Sequence, residues 1–265
     1  MRTDTLIYSL ASAIRFWRGT VVNSPRKAMP AQLLKLYDME GCPYCRLVRE
    51  QLTELDLDVM ILPCPKKGSR FRAEAQRIGG KQQFPFLIDD NTGTQLYGSD
   101  AIMDYLHQTY PSDEAGPPMF RPLAHATSKL ASMLVIAVLG MAGLKRRPSK
   151  EAAQPLELYA FESSPFSKPV RARLCELELP YILRNSGKGA WKEVGRATLG
   201  GEDNLQATQG STINRDALAR HTGRVQVPYL VDANTGEALF ESLDIVRYLD
   251  RTYSLKTATQ AQAAT

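Results

Sequence analysis

The chain has 265 residues and a formal charge of +5, with 43% hydrophobic and 23% charged residues. This is a soluble globular composition, long enough for two domains that each bury a core. There is no long run of like charge and no basic stripe with interleaved aromatics, which argues against nucleic acid as the partner; anionic small molecules suit the mild basicity. Four cysteines, Cys42, Cys45, Cys64 and Cys175, are too few for a secreted disulfide scaffold and fit a reducing, cytoplasmic compartment.

Residues 1–33 read as an N-terminal helical extension. In TLIYSLASAIRFWR, residues 5–18, the side chains of Leu6, Leu10, Ile14 and Trp17 share one helical face. Arg2, Arg15 and Arg18 against a single acid, Asp4, also match an organellar presequence. Interrupting charges and the lack of an evident cleavage site favour an ordinary helix packed on the first domain.

From Leu34 a pattern begins that occurs twice. LKLYDMEGCPYCRLVREQLTELDL from Leu34 aligns without a gap on LELYAFESSPFSKPVRARLCELEL from Leu156, an offset of 122 residues. FPFLIDDNTGTQLYGSDAIMDYLHQTY from Phe84 aligns on VPYLVDANTGEALFESLDIVRYLDRTY from Val227, an offset of 143. The second copy therefore carries 143 − 122 = 21 extra residues, placed in a Gly-rich polar stretch that reads as a loop insertion. Each copy predicts a strand (34–38 or 156–160) and a turn. Then comes a helix with Pro43 or Pro165 near its first position, where the missing N–H costs nothing. A second strand (58–62 or 181–184) and a helix near 70–78 or 212–221 follow. Two strands then flank an Asn-Thr-Gly hairpin turn, and a last helix starts at Ser99 or Ser242, each a natural N-cap. The order βαβαββα predicts a four-stranded mixed sheet with helices on both faces in each domain, 34–110 and 156–253, with a flexible tail at 254–265. The linker between them, 111–155, opens with PSDEAGPP and continues into LASMLVIAVLGMAGL, residues 130–144. Fifteen residues span roughly 22 Å, short of the ~30 Å hydrocarbon core. The stretch is apolar all round, which predicts a helix buried between the domains rather than in a membrane.

The chemistry concentrates at Cys42 and Cys45. A cysteine at a helix N-terminus meets unpaired N–H groups and the positive end of the dipole, so its thiolate is favoured. Cys42, just before Pro43, is then the attacking nucleophile. Cys45, one turn on, is the resolving thiol. A zinc site would need two more ligands, and His107, His125 and His221 are scattered, so no metal is expected. A structural disulfide across three residues closes too small a loop to stabilise much. Cys64 and Cys175 read as inert packing.

CPYC, Phe-Pro and Gly-Ser-Asp at the last helix together resemble the glutaredoxins, and each repeat resembles the thioredoxin-fold N-terminal domain that glutaredoxins share with glutathione transferases. The chain looks like a tandem pair of such α/β domains. The resemblance implies glutathione as co-substrate and a thiol–disulfide oxidoreductase acting on glutathionylated or disulfide-containing proteins, and it leaves room for a homodimer. It implies a cis proline at Phe84-Pro85 and at Val227-Pro228. It implies glutathione contacts from Tyr44, Phe84, Pro85, Ser99 and Asp100 in the first domain. In the second domain the matching positions are Ser164, Ser167, Val227, Pro228, Glu241 and Ser242. Ser164 and Ser167 replace the cysteines there, and an alcohol does not ionise near neutrality. That copy is therefore read as a serine-type glutathione transferase site, or as a non-enzymatic binding or redox-sensing scaffold. The family's lysine ahead of the motif is absent. Glu40 stands there and should disfavour the thiolate, with Lys66, Lys67, Arg70 or Arg72 as the compensating charges.

Overall fold

The computed structural model describes residues 3–112, 120–189, 193 and 210–255. Most of PSDEAGPP, most of the inserted loop and all but the first two residues of the tail lie outside them. The strands are β1 (Leu34–Asp38), β2 (Val59–Pro63), β3 (Phe86–Asp89), β4 (Thr94–Tyr97), β5 (Leu156–Ala160), β6 (Tyr181–Asn185), β7 (Tyr229–Asp232) and β8 (Glu237–Phe240). The helices are α1 (Thr3–Ile14), α2 (Pro43–Glu54), α3 (Phe71–Gly79), α4 (Ser99–Thr109), α5 (Arg121–Leu139), α6 (Ser167–Glu176), α7 (Ile213–Thr222) and α8 (Ser242–Tyr253).

Each repeat builds the expected four-stranded unit, β4-β3-β1-β2 and β6-β5-β7-β8, with one parallel pair and two antiparallel pairs. The two units do not remain separate sheets. β2 pairs antiparallel with β6 through Val59–Leu183, Met60–Ile182 and Ile61–Tyr181, giving one eight-stranded sheet. Both are apolar strands that would otherwise be open edges, and pairing them satisfies their free N–H and C=O groups. Met60 and Ile182 are equivalent positions of the two repeats, so an approximate two-fold axis passes between them, normal to the sheet. The main core is likewise continuous. It runs from Leu34, Leu36, Val48 and Leu52 through Ile61 and Tyr181 to Leu158, Val170, Leu174 and Leu249. Strand alternation sends Tyr37, Leu62 and Phe86 to the opposite sheet face, where they pack with Ala75, Phe71 and Ile78 of α3.

The hairpins are anchored alike. Asp89 accepts from the Tyr105 and Tyr110 hydroxyls at 2.6 Å each, and Asp232 from Tyr248 and Tyr253 at 2.7 and 2.5 Å. Gly93 and Gly236 supply the left-handed turn residue, at φ 72° and 78°.

Three local expectations are corrected. α1 turns Ile7, Tyr8 and Ala11 inward against Ala131 and Val135 of α5, while Leu6 and Leu10 face outward. The helix stops at Ile14, and Arg15 is buried to meet Glu50 at 2.6 Å, which fixes this rotation. α5 is not enclosed all round. Ala124, Ser128, Ala131, Ser132 and Val135 are buried, but Leu130 (55%) and Met133 (63%) are exposed. Only its small residues let the neighbouring helices approach. Finally, Ser99 and Ser242 are first helical residues rather than caps: Gly98 and Glu241 hold the cap positions, and neither helix start has a side-chain cap bond.

The segments before each repeat are also equivalent. Gly143 O accepts from Gly41 N at 3.1 Å, and Gly19 O accepts from Ser163 N at 3.2 Å. Leu144 O accepts from Lys66 N, and Thr20 O accepts from Lys188 N. Each helix, α1 or α5, thus leads into a loop that lies on the other repeat.

Candidate functional site

Cys42 has extended backbone (φ −76°, ψ 127°) and is the N-cap of α2, with Pro43 at the first helical position. It is 6% exposed and Cys45 is 0% exposed; both are free thiols. The Cys45 side chain hydrogen-bonds the Cys42 sulfur. With the backbone N–H groups of Cys45 and Tyr44, and against burial, this brings the Cys42 thiol down to about 7. Burial and the neighbouring Cys42 push Cys45 the other way. The pair therefore divides into one sulfur that ionises near neutrality and one that stays protonated. Burial holds Cys64 and Cys175 well above the usual thiol range, so both are inert.

Glu40 does not oppose the thiolate as an isolated charge. It is 8% exposed and accepts from Arg171 at 3.0 and 3.1 Å, with Arg49 at 3.3 Å. Reciprocally, Glu162, the equivalent of Glu40, accepts from Arg49 at 2.8 Å, with Arg171 at 2.9 Å. Burial opposes its charge, but the two guanidinium groups bring Glu162 down to about 2. Arg49 also holds Asp38 at 2.6 Å. This network on the two-fold axis neutralises Glu40 through the other repeat. Of the suggested compensating cations, Lys66 and Lys67 are exposed, and Arg70 and Arg72 are engaged elsewhere. Arg70 donates to Leu177 O, Glu178 O and Ser149 O, and Arg72 donates to Cys64 O and lies 4.8 Å over the Phe84 ring. Sequence reading missed the network, although a signal existed: Glu40/Glu162 and Arg49/Arg171 keep the same residue type at the 122-residue offset.

The Phe84-Pro85 peptide is cis, as is Val227-Pro228. Pro85 O accepts from Gly98 N at 3.1 Å, which ties the proline loop to the start of α4. Ser99 is buried and Tyr44 is 39% exposed. Asp100 is engaged by α5, with His125 Nε2 at 3.0 Å and Arg121 at 3.0 Å, and His125 lies 5.7 Å from the Tyr44 ring. No local sequence signal marked His125 or Arg121 as neighbours of this site. A cavity of about 380 Å³ lies between α2, α4 and the start of α5, and neither thiol is among the residues that line it. It is lined by Glu50, Glu54, Asp104, His107 and Arg18 and shares Asp100 with the site.

The second repeat differs. α6 begins at Ser167, two residues after Pro165, so Pro165 is not its first residue as expected. Ser164 (1% exposed) accepts from Ser167 N at 3.2 Å and from Ser167 Oγ at 3.0 Å. Ser163 next to it hydrogen-bonds Thr20 of the N-terminal segment. Ser242 Oγ donates to Phe166 O at 2.6 Å, and Glu241, at φ 67°, accepts from Gln226 at 2.5 Å.

Fold and site together define a pair of thioredoxin folds merged into one sheet, with a thiol pair in the first. The model of the glutathione S-transferase N-terminal domain matches residues 36–118 and again 158–257, and the chain belongs to that glutathione-related family. No curated protein matches. Among solved structures, the glutathione transferase BmGSTD1 of Bombyx mori is similar at 29% identity over 35% of this chain and 42% of that one, with a TM-score of 0.30. BmGSTD1 in complex with GTT is similar at 25% identity over 42% of this chain and 50% of that one, with a TM-score of 0.30. The chain thus spans half or less of the length of these proteins.

Proposed function

We propose that the protein is a glutathione-dependent thiol–disulfide oxidoreductase that reduces protein–glutathione mixed disulfides. The observation that carries this reading is the asymmetry of the CPYC thiols, with Cys42 at the helix N-terminus brought down to about 7 and Cys45 held protonated behind it. The Cys42 thiolate attacks the glutathione sulfur of the mixed disulfide. A Cys42–glutathione disulfide forms, and the substrate protein leaves as a thiolate and takes up a proton. A second glutathione, as thiolate, attacks the glutathione sulfur on Cys42, releasing oxidised glutathione and restoring the Cys42 thiolate. In a slower branch Cys45 loses its proton and attacks the Cys42 sulfur, expelling glutathione and closing the Cys42–Cys45 disulfide. Tyr44, Phe84, Pro85, Ser99 and Asp100 hold the tripeptide. Its carboxylate sits on the free N–H groups at the start of α4, and its ammonium replaces His125 and Arg121 as the partner of Asp100.

In this reading the second repeat does no thiol chemistry and provides scaffold. The burial of Ser164, whose neighbour Ser163 is bonded to Gly19 and Thr20, supports that over a serine-centred transferase. The test is turnover of a glutathionylated substrate with glutathione. Cys42→Ser abolishes it and Cys45→Ser keeps a substantial part, whereas Ser164→Ala has no effect. Full activity in Cys42→Ser would sink the proposal, and conjugation activity lost only in Ser164→Ala would move the chemistry to the second repeat.

A further inference from the structure

We propose that the outward face of α1 and α5 is a docking surface for an anionic lipid bilayer, on which the protein lies without crossing it. Along α5 and the turn after it the exposed large side chains are Leu123, Leu130, Met133, Val138 and Met141. They recur at helical spacing on the side opposite Ala124, Ser128, Ala131 and Val135. α1 packs on α5 and adds Leu6 and Leu10. The local two-fold of an antiparallel strand pair is normal to the sheet. A rotation about that axis exchanges the two helices but leaves the outward direction unchanged. The strips on α1 and α5 therefore face the same way and form one apolar platform larger than scattered surface leucines.

Charge selects the occupant. Residues 3–37 and 115–150, which carry both helices, hold one acid, Asp4, against Arg15, Arg18, Arg26, Lys27 and Lys35 in the first stretch and Arg121, Lys129, Lys145, Arg146, Arg147 and Lys150 in the second. Of these bases Arg15, Arg18, Lys35, Arg121, Arg146 and Arg147 pair with carboxylates of the fold. Lys129 and Lys145 are exposed, and among the described residues neither has an ion-pair partner. A second copy would set like charges against each other, whereas anionic headgroups complement them while the acyl boundary takes the apolar strip.

The same helix is held from crossing. At 19 residues α5 is long and apolar enough to span a bilayer. Its other face, however, is bonded into the fold. Ser128 Oγ donates to Pro43 O at 2.7 Å, and buried Arg15 donates to Ala124 O at 2.9 Å. An interfacial position satisfies the platform and keeps these bonds.

The experiment is flotation of the full chain with vesicles of equal parts phosphatidylcholine and phosphatidylglycerol, beside vesicles of phosphatidylcholine alone. The protein floats with the anionic vesicles, less so as salt is raised. The double variant Leu130→Glu/Met133→Glu, altered only at exposed positions, loses binding by about tenfold or more. Leu243→Glu, at an exposed apolar position on the second repeat, keeps it. Circular dichroism confirms that both variants fold. The proposal is overturned by any of three results: no enrichment on anionic vesicles, equal loss in Leu243→Glu, or a wild-type dimer in sedimentation that the double variant converts to monomer, which would make a second copy the occupant. Extraction from cell membranes by alkaline carbonate supports a surface position, and resistance to it would show that α5 spans.

Discussion

Arg171→Ala tests the axial network that joins the repeats. The Arg171 side chain is fully buried. It donates twice to Glu40, at 3.0 and 3.1 Å, and to the carbonyls of Phe161 and Glu162 at 3.0 Å each. Truncation leaves Glu40 with Arg49 alone and strands two buried carbonyls. Breaking a buried pair from one side costs about 3–5 kcal/mol, a large part of the roughly 5–15 kcal/mol that holds a domain folded. At about 2–4 °C per kcal/mol for a chain of this size, the melting temperature falls by roughly 6–20 °C. The double variant Glu40→Leu/Arg171→Met removes both charges and keeps the volume, so it recovers much of the loss. Chemical denaturation of the wild type, Glu40→Leu, Arg171→Met and the double variant gives the coupling directly, with about 2 kcal/mol or more expected. A loss below about 1 kcal/mol in Arg171→Ala, or single effects that add to within about 0.5 kcal/mol, would refute the reasoning.

The rate of Cys42 alkylation by iodoacetamide should follow a titration centred near pH 7, and Cys45→Ala should move that midpoint upward because the Cys45 hydrogen bond is the largest cause of the shift; an unmoved midpoint refutes it. Burial, reinforced by Arg46, brings buried Lys168 down to about 7. Between that value and the unfolded value of about 10.4 the unfolded chain holds the extra proton, so stability rises with pH across this window. Lys168→Met should raise stability at neutral pH and flatten that rise in denaturation profiles. Gly41→Ala would place a methyl 2.5 Å from Leu144 Cγ; it should destabilise by about 1–3 kcal/mol, and Leu144→Ala should restore part of the loss, as read from melting curves.

The repeat made most of the fold legible, because two gap-free alignments set every strand and most helices at equivalent places. Cys42 before Pro43 could be placed at a helix start for a local reason, the proline's missing N–H. What stayed hidden were the contacts between repeats. The pairing of Val59 with Leu183, the bond from Arg171 to Glu40 and the seat of Leu144 against Gly41 all join residues more than a hundred positions apart. Alternation and capping rules, which are local, carry no information about them. The rotation of α1 failed for the same reason. Leu6 and Leu10 form as good an apolar stripe as Ile7, Tyr8 and Ala11 until the small residues of α5 and the Arg15–Glu50 pair choose between the two faces.

The antiparallel junction of β2 with β6 has the form of a contact between two subunits of a dimer. Here one polypeptide supplies both, so the partner strand is present at an effective concentration set by the connecting segment rather than by the amount of protein in solution. Dilution does not separate the halves, and a chain carrying one thiol pair always carries exactly the single counterpart that neutralises Glu40. Two identical subunits would each have to bring the same site. In one chain, a half without the cysteines can still supply Arg171 and the loop-bearing helix on which the other half depends.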